Sequence, residues 1–82
     1  MATLDFGYYN KQDANDPINK QIKNEISQNL EKYVKLTKEK GRLDSENWLI
    51  YETQIQDRRV HFGYNEKDGL LDAMVIPKHP KF

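Results

Sequence analysis

One stretch of this sequence has the periodicity of an amphipathic helix, and the other patterned stretches alternate as β-strands do. The helical stretch covers about residues 17–40, where apolar side chains recur at three- and four-residue spacing. Asp16 suits an N-cap, Pro17 suits the first turn, and Gly41 suits the end of the helix. We therefore predict one long helix with a single apolar stripe. The stripe consists of Ile18, Ile22, Ile26, Leu30, Tyr33 and Val34.

Four further segments are predicted to be strands because they alternate or are rich in aromatic and β-branched side chains. They cover about residues 3–9, 47–55, 58–65 and 70–76. Residues 66–69 form a four-residue hairpin loop, with Gly69 where a positive φ is favoured. The predicted fold is α+β, with the element order β-α-β-β-β. It is an antiparallel sheet with one long helix packed on one face, in a single domain over residues 1–82.

Composition narrows the class of protein. The chain has 82 residues, and its 13 Lys and Arg side chains balance its 13 Asp and Glu side chains. Zero net charge argues against both a strongly basic nucleic-acid binder and an acidic DNA mimic. The absence of cysteine excludes disulfides, thiolate metal ligands and a Cys nucleophile. No apolar run approaches the roughly 20 residues that span a bilayer, and no signal-peptide pattern is present, so we expect a soluble cytoplasmic protein without membrane contact.

A tight turn after Ile55 fixes how the last three strands pair. With this turn Tyr51 lies opposite Phe62, and the 66–69 loop then places Phe62 opposite Ala73. A slip of one residue would mix apolar and polar rows, so this register is favoured. It gathers apolar side chains on one face, which is predicted to pack on the helix stripe. That face also includes Leu4, Phe6, Tyr8, Leu49, Val60, Tyr64, Leu71 and Val75.

The opposite face of the sheet is predicted to carry no helix, because the sequence has no second helical pattern. The alternative is that the first strand or the C-terminal tail folds back and buries Trp48 within the monomer. Its four cross-strand rows are Trp48–Asn65–Leu70, Ile50–Gly63–Asp72, Glu52–His61–Met74 and Gln54–Arg59–Ile76. This face is too apolar to contact only water, and exposed apolar patches typically mark interfaces. We therefore predict a protein-binding surface with Trp48 as its anchor. The surface consists of Trp48, Ile50, Arg59, His61, Leu70, Met74 and Ile76.

The function that these features favour is non-enzymatic binding to another protein, with no cofactor and no metal. No glycine-rich phosphate loop or metal-ligand spacing is present. Stand-alone chains of this size that only bind are often inhibitors, and a composition rich in Lys, Asn, Ile and Tyr suits a low-GC bacterial or phage source. We expect an inhibitor of the anti-defence, anti-CRISPR-like, immunity or antitoxin type. A homodimer formed through the same face is an open alternative.

A second interpretation is a nucleic-acid-binding accessory protein. Its basic contacts would come from Arg58, Arg59, Lys78 and Lys81, beside aromatic side chains that can stack on bases. Most of those aromatic side chains fall on the predicted buried face, however, where core packing is the simpler explanation.

A third interpretation is a small, metal-free, RNase-like toxin. Glu52 is predicted to lie opposite His61, with about 5 Å between their Cβ atoms, and Arg59 follows on the same face. A carboxylate base, an imidazole acid and a guanidinium are the groups that metal-free RNA cleavage needs. The commoner explanation of such a trio is a cross-strand charge pair on a solvated sheet.

Overall fold

The fold contains five strands and two helices. A computed structural model of the chain describes residues 2–6 and 16–76. In chain order the elements are β1 (Thr3–Asp5), α1 (Pro17–Gln28), α2 (Leu30–Lys40), β2 (Arg42–Ser45), β3 (Trp48–Ile55), β4 (Arg58–Asn65) and β5 (Leu70–Ile76). The strands form one sheet in the order β1-β5-β4-β3-β2, and the helices pack on one side of it. The α+β class is therefore confirmed.

The sheet is mixed, so the prediction of a purely antiparallel sheet was wrong. β1 pairs with β5 in parallel, and Leu4 lies opposite Leu71. The helices carry the chain from β1 at one edge to β2 at the other, and the antiparallel strands β2 to β5 then return to β1. Alternation tells which side chains share a face and carries no information about strand direction. Of the predicted strand 3–9, Thr3–Asp5 is a strand, and residues 7–9 lie outside the described part of the chain.

The second edge strand, β2, lies where the sequence predicted only a connector. Arg42 pairs with Ile50 and Leu43 pairs with Leu49, after which the register shifts by one residue at Asp44. This shift is a β-bulge, in which one strand contributes an extra residue. All four residues of β2 are exposed, and Leu43 is 70% exposed. Because β2 buries neither face, it has no alternating pattern for sequence analysis to detect.

The predicted long helix is two helices that meet at Asn29. Asn29 has φ −124° and ψ 39°, which is not helical, and its side-chain amide donates to the Glu25 carbonyl oxygen at 3.0 Å. Asparagine favours such local bonds over the helical ladder. The apolar stripe continues across the break, because Ile22, Ile26, Tyr33 and Val34 are all buried. The predicted core face of the helical region is therefore confirmed. Within the described residues, neither helix is long and apolar enough to cross a membrane.

The predicted register of the last three strands is confirmed. Tyr51 lies opposite Phe62, and Phe62 lies opposite Ala73. Gln56 in the tight turn has a φ of 55°, and Gly69 has a φ of 64°. The Phe62 ring stacks on Tyr33 of α2 at 5.2 Å and on Tyr51 at 6.4 Å between centroids. Phe62 therefore packs the sheet against α2.

Asp16 ties the start of α1 to the sheet. Its Oδ1 atom accepts from the Ile18 amide at 2.9 Å and from the Asn19 amide at 3.4 Å, as an N-cap does. Its Oδ2 atom lies 2.8 Å from Nη2 of Arg58 at the start of β4. The hydrogen bond from Arg58 lowers the pKa of the Asp16 carboxyl below its ordinary value of 3.8. One carboxylate therefore caps a helix and fixes the position of that helix on the sheet.

Candidate functional site

The candidate site is the face of the sheet that points away from the helices, which we call the open face. The register places on it the four rows predicted from the sequence. The two edge strands extend the face, since Arg42 lies opposite Ile50 and Asp5 lies opposite Asp72. In the described residues both helices pack on the other face. The open face is therefore a surface of mixed apolar and charged side chains on a five-stranded sheet.

The apolar side chains of the open face are partly exposed. Trp48, Ile50, Leu70 and Ile76 are half-buried, whereas Met74 is 38% exposed. The Trp48 indole and the Ile50 side chain lie over Gly63, where a Cβ atom would approach Trp48 Cε3 to 3.2 Å and Ile50 Cδ1 to 3.4 Å. Glycine at position 63 therefore allows the indole to lie close to the backbone of β4.

A groove of about 350 Å³ runs over Gly63. Trp48 and Ile50 form its apolar side, and Met74 and Asp72 of β5 lie across from them. The bulge in β2 adds Asp44 and Ser45 to the lining. The complete lining is Asp44, Ser45, Trp48, Ile50, His61, Phe62, Gly63, Asp72 and Met74. Of these residues, the sequence predicted Trp48, Ile50, His61 and Met74 as binding residues. It did not predict Asp44 or Ser45, because the segment that forms β2 was predicted to be a connector.

The predicted Glu52–His61 pair is present on the open face. His61 Nε2 lies 3.2 Å from Glu52 Oε1, and the two side chains are 32% and 58% exposed. Arg59 is exposed in the next row and lines a separate depression with Glu52, Thr53 and Gln54, whereas His61 lines the groove over Gly63. The carboxylate and the imidazole therefore lie within ion-pair distance, although Nε2 of His61 makes no hydrogen bond among the described residues, and Arg59 lies in the next row of the same face. This arrangement is that of a cross-strand charge pair.

Of the basic side chains of the nucleic-acid interpretation, the two that the structure describes, Arg58 and Arg59, do not lie on one surface. Arg58 is only 7% exposed, and its guanidinium is held by Asp16, so it contributes to the fold rather than to a basic patch. Arg59, its neighbour, points to the open face. Lys78 and Lys81 lie outside the described residues. Phe62 and Tyr64, which the same interpretation needed for stacking, are buried in the core.

Charge is distributed unequally between the two layers. Residues 16–40, which include both helices, carry six lysines and four acidic side chains. Residues 42–76, which form β2 to β5 and their turns, carry four basic and seven acidic side chains. Asp5 of β1 adds a further carboxylate to the open face, directly beside Asp72. The sheet layer is therefore net acidic and the helical layer net basic, although the whole chain is neutral.

The described residues contain no group of three His, Asp or Glu side chains placed to hold a metal ion. Comparisons of the chain with models of known protein families, with curated proteins and with solved structures found no match. The functional inference therefore comes from the geometry and the charge of this chain itself.

Proposed function

We propose that this protein binds another protein through the open face and acts by covering its partner rather than by catalysis. The observation that carries the proposal is the cluster of partly exposed apolar side chains around Trp48, on a face on which neither of the two described helices packs. The proposed biological role is inhibition, of the anti-defence or immunity type, in the cytoplasm. A second copy of the chain is the alternative occupant of the same face.

The residue types on the open face support a protein partner. Tryptophan and arginine most often dominate binding energy at interfaces, and Trp48 and Arg59 both lie on this face. Met74, the most exposed apolar side chain among them, has the flexibility that suits an adaptable contact. Because these side chains stand on three paired strands, a partner would meet a surface that is already formed. Binding then costs little ordering of the backbone.

Site-specific cross-linking tests the proposal. A photoreactive amino acid at position 74 places the probe on the open face, and the same residue at position 35 places it on the exposed side of α2. In a lysate of the cells that encode the protein, position 74 is expected to yield one discrete cross-linked product and position 35 none. Cross-linking from position 35 alone would overturn the proposal. A product twice the mass of the chain would identify a second copy as the occupant.

One observation favours a second candidate function. The 3.2 Å contact between His61 and Glu52 provides an acid–base pair on an exposed surface, as an RNase-like activity would need. Purified protein incubated with RNA, with and without divalent metal, tests this candidate. We expect no cleavage. Cleavage that is lost in both Glu52→Gln and His61→Ala would make the nuclease interpretation the leading one, and Lys35→Ala is the control for contaminating activity.

A further inference from the structure

Part of the outer side of β3 has no neighbouring strand. β2 pairs with β3 only from Trp48 to Ile50, whereas β3 continues to Ile55. Within the described residues, no strand pairs with the outer side of residues 51–55. Two depressions, of about 320 and 450 Å³, border this stretch, and Glu52 lines both of them. Residues 51–55 therefore form an uncovered edge of the sheet, which we call the free edge.

The register of β3 and β4 shows which backbone groups the free edge presents. Ile55 and Arg58 flank a two-residue turn, so they exchange backbone hydrogen bonds with each other. Because hydrogen-bonded and non-hydrogen-bonded pairs alternate, Thr53 also bonds to β4. Glu52 and Gln54 lie between these positions, and their N–H and C=O groups point away from β4. The free edge therefore offers two donors and two acceptors to another strand.

This pattern of backbone groups and side chains is complementary to itself. If two copies align antiparallel about Thr53, Glu52 of each copy lies opposite Gln54 of the other, and the outward groups form four hydrogen bonds. On the side of the helices, Tyr51 of each copy then lies opposite Ile55 of the other, and the two Thr53 side chains meet at the centre. Aromatic–β-branched pairs and Thr–Thr pairs are favourable across strands. Tyr51 and Ile55 are only partly buried within one copy, so the second copy would extend their coverage.

Charge and hydrogen bonding select this alignment over its neighbours. Alignment about Glu52 would place two carboxylates directly opposite each other, and alignment about Gln54 would form half as many hydrogen bonds. In the alignment about Thr53 the two Glu52 side chains are diagonal neighbours. Arg59 lies beside Gln54 within one chain, so Arg59 of each copy shares a row with Glu52 of the other. The open-face charges along that row are therefore of opposite sign.

We propose that two copies of the chain associate through the free edge, with β3 antiparallel to β3 in the register centred on Thr53. The inference goes beyond the proposed function, because this contact leaves the open face of each copy accessible. The two sheets become continuous, with the helices of both copies on one side and both open faces on the other. A binding partner that carries two equivalent sites is then held by both copies at once, which raises its apparent affinity.

Sedimentation equilibrium over a range of protein concentrations measures the association. The contact is small, so we expect a dissociation constant of the order of 0.1 mM. Gln54→Lys is expected to tighten the dimer about three- to tenfold, because it places a cation opposite Glu52 of the second copy. Gln54→Glu is expected to weaken it by a similar factor, because two carboxylates then lie opposite each other.

Two controls separate this effect from changes within one chain. Position 54 lies beside Arg59, so Gln54→Lys should lower the free energy of unfolding of the monomer and Gln54→Glu should raise it. Urea unfolding of the dilute protein therefore changes in the direction opposite to dimerisation. Gln21→Lys and Gln21→Glu make the same charge changes on the exposed side of α1 and are expected to leave dimerisation unchanged.

A single cysteine tests the register directly, since the chain has no cysteine of its own. The two Thr53 residues form a non-hydrogen-bonded pair in the proposed dimer, with Cα atoms about 4.5 Å apart, which is within the range for a disulfide. Thr53→Cys is therefore expected to give a disulfide-linked dimer under mild oxidation with diamide. Ser27→Cys, exposed on α1, is the control and is expected to stay monomeric.

Several results would overturn the inference. A wild-type protein that stays monomeric at millimolar concentration would show that the free edge does not self-associate. Equal cross-linking of Thr53→Cys and Ser27→Cys would indicate random collision. Dimerisation that responds alike to Gln54→Lys and Gln54→Glu would exclude the register centred on Thr53.

The outcome is independent of the proposed function. Met74 stands on β5, two strands away from the free edge, so a photoreactive residue at position 74 does not report on this dimer. A dimer that cross-links from position 74 and ignores the Gln54 variants would place the contact on the open face and overturn the inference. Failure of position 74 to cross-link any partner, in a protein that dimerises as expected here, would instead contradict the proposed function.

Discussion

The hydroxyl of Tyr33 donates a hydrogen bond to Oε2 of Glu25 at 3.0 Å and joins α1 to α2 across the break at Asn29. The same ring stacks on Phe62 in the core. Tyr33 therefore connects the two helices through its hydroxyl and packs on the sheet through its ring. Burial and the hydrogen bond to Glu25 together raise the pKa of Tyr33 to about 12.

We predict that alkaline pH destabilises the protein through Tyr33. Because the folded pKa of about 12 lies above the ordinary value of 10.0, the contribution of Tyr33 is complete below pH 10 and is lost as the pH rises toward 12. Ultraviolet titration of the tyrosines should show one late ionisation, which Tyr33→Phe removes. Glu25→Gln should move that ionisation to lower pH. If the late ionisation persists in Tyr33→Phe, it belongs to another tyrosine.

Acid should destabilise the protein through Asp16. Its folded pKa is lowered by Arg58, so its contribution to stability is complete above about pH 4 and is lost as the pH falls below that value. Urea unfolding as a function of pH measures this effect. Asp16→Asn is expected to be less stable than the wild type at neutral pH and to lose less stability between neutral pH and pH 3. Asp68→Asn, in an exposed turn, should keep the wild-type profile; a profile matching that of Asp16→Asn would contradict the assignment.

Gln56 is a site where glycine should stabilise the fold. Its φ of 55° lies in the left-handed region, which costs a residue with a Cβ atom about 1–2 kcal/mol. Gly carries a larger conformational entropy cost of its own, so we expect Gln56→Gly to raise the free energy of unfolding by about 0.5–1 kcal/mol. Gln56→Ala keeps the Cβ atom and should show no gain. An equal gain from alanine would mean that the glutamine side chain, and not the backbone angle, is unfavourable.

Asn19 of α1 is 1% exposed, and neither its Nδ2 nor its Oδ1 atom has a hydrogen-bond partner among the described residues. A buried polar group without a partner costs about 1–3 kcal/mol. Asn19→Leu, which keeps the number of side-chain heavy atoms but is larger, removes both polar atoms and is therefore expected to stabilise the protein by less than that amount, because the added volume must be accommodated. Asn19→Asp should destabilise it, because the position would then bury a charge. If Asn19→Leu lowers the urea midpoint, the amide must make bonds that matter for folding.

Trp48→Ala is expected to cost at least about 2 kcal/mol of affinity for the partner, or of self-association if the partner is a second copy. It should lower the free energy of unfolding less than Ile26→Ala does, for which about 2–5 kcal/mol is expected because Ile26 is fully buried. Calorimetry and urea unfolding measure the two effects. Trp48 fluorescence should also become protected from quenchers on binding.

Lys35→Ala is the matched control for Trp48→Ala, since Lys35 is exposed on α2. Lys23 is less suitable, because its Nζ atom lies 5.4 Å from the centre of the Phe6 ring and its removal would alter that contact. A Trp48 that resists quenching in the free monomer would show that the indole is internal. That result would remove the main support for binding through the open face.

The register of the last three strands was predictable because two short turns and the apolar rows constrain it together. The turn at Gln56 and the loop ending at Gly69 leave one register in which Phe62 meets both Tyr51 and Ala73. The face that carries Trp48 and the Glu52–His61 pair follows from that register. Most of the candidate site was therefore accessible from the sequence.

Other features left no signal in the residue pattern. The direction of β1 depends on how the chain between β1 and β2 crosses the sheet. The alternating pattern around Leu4 would be the same in a parallel and in an antiparallel strand. β2 is exposed throughout, so its hydrogen bonds to β3 form without any burial pattern. The break at Asn29 comes from a side chain that is also tolerated within helices. Asp5 and Asp44 were missed because they stand on these two edge strands.

The edges of the sheet are as informative as its face. β1 spans three residues, and β2 spans four and contains a bulge. Short, interrupted edges offer few free backbone groups to the strand of another molecule, and charged side chains such as Arg42 and Asp44 further oppose such pairing. We expect that the protein resists growth into fibrils even while it displays an apolar surface. The contacts of the open face with other molecules are then made by side chains rather than by backbone hydrogen bonds. Side chains can distinguish one partner from another, whereas backbone groups are the same in every protein.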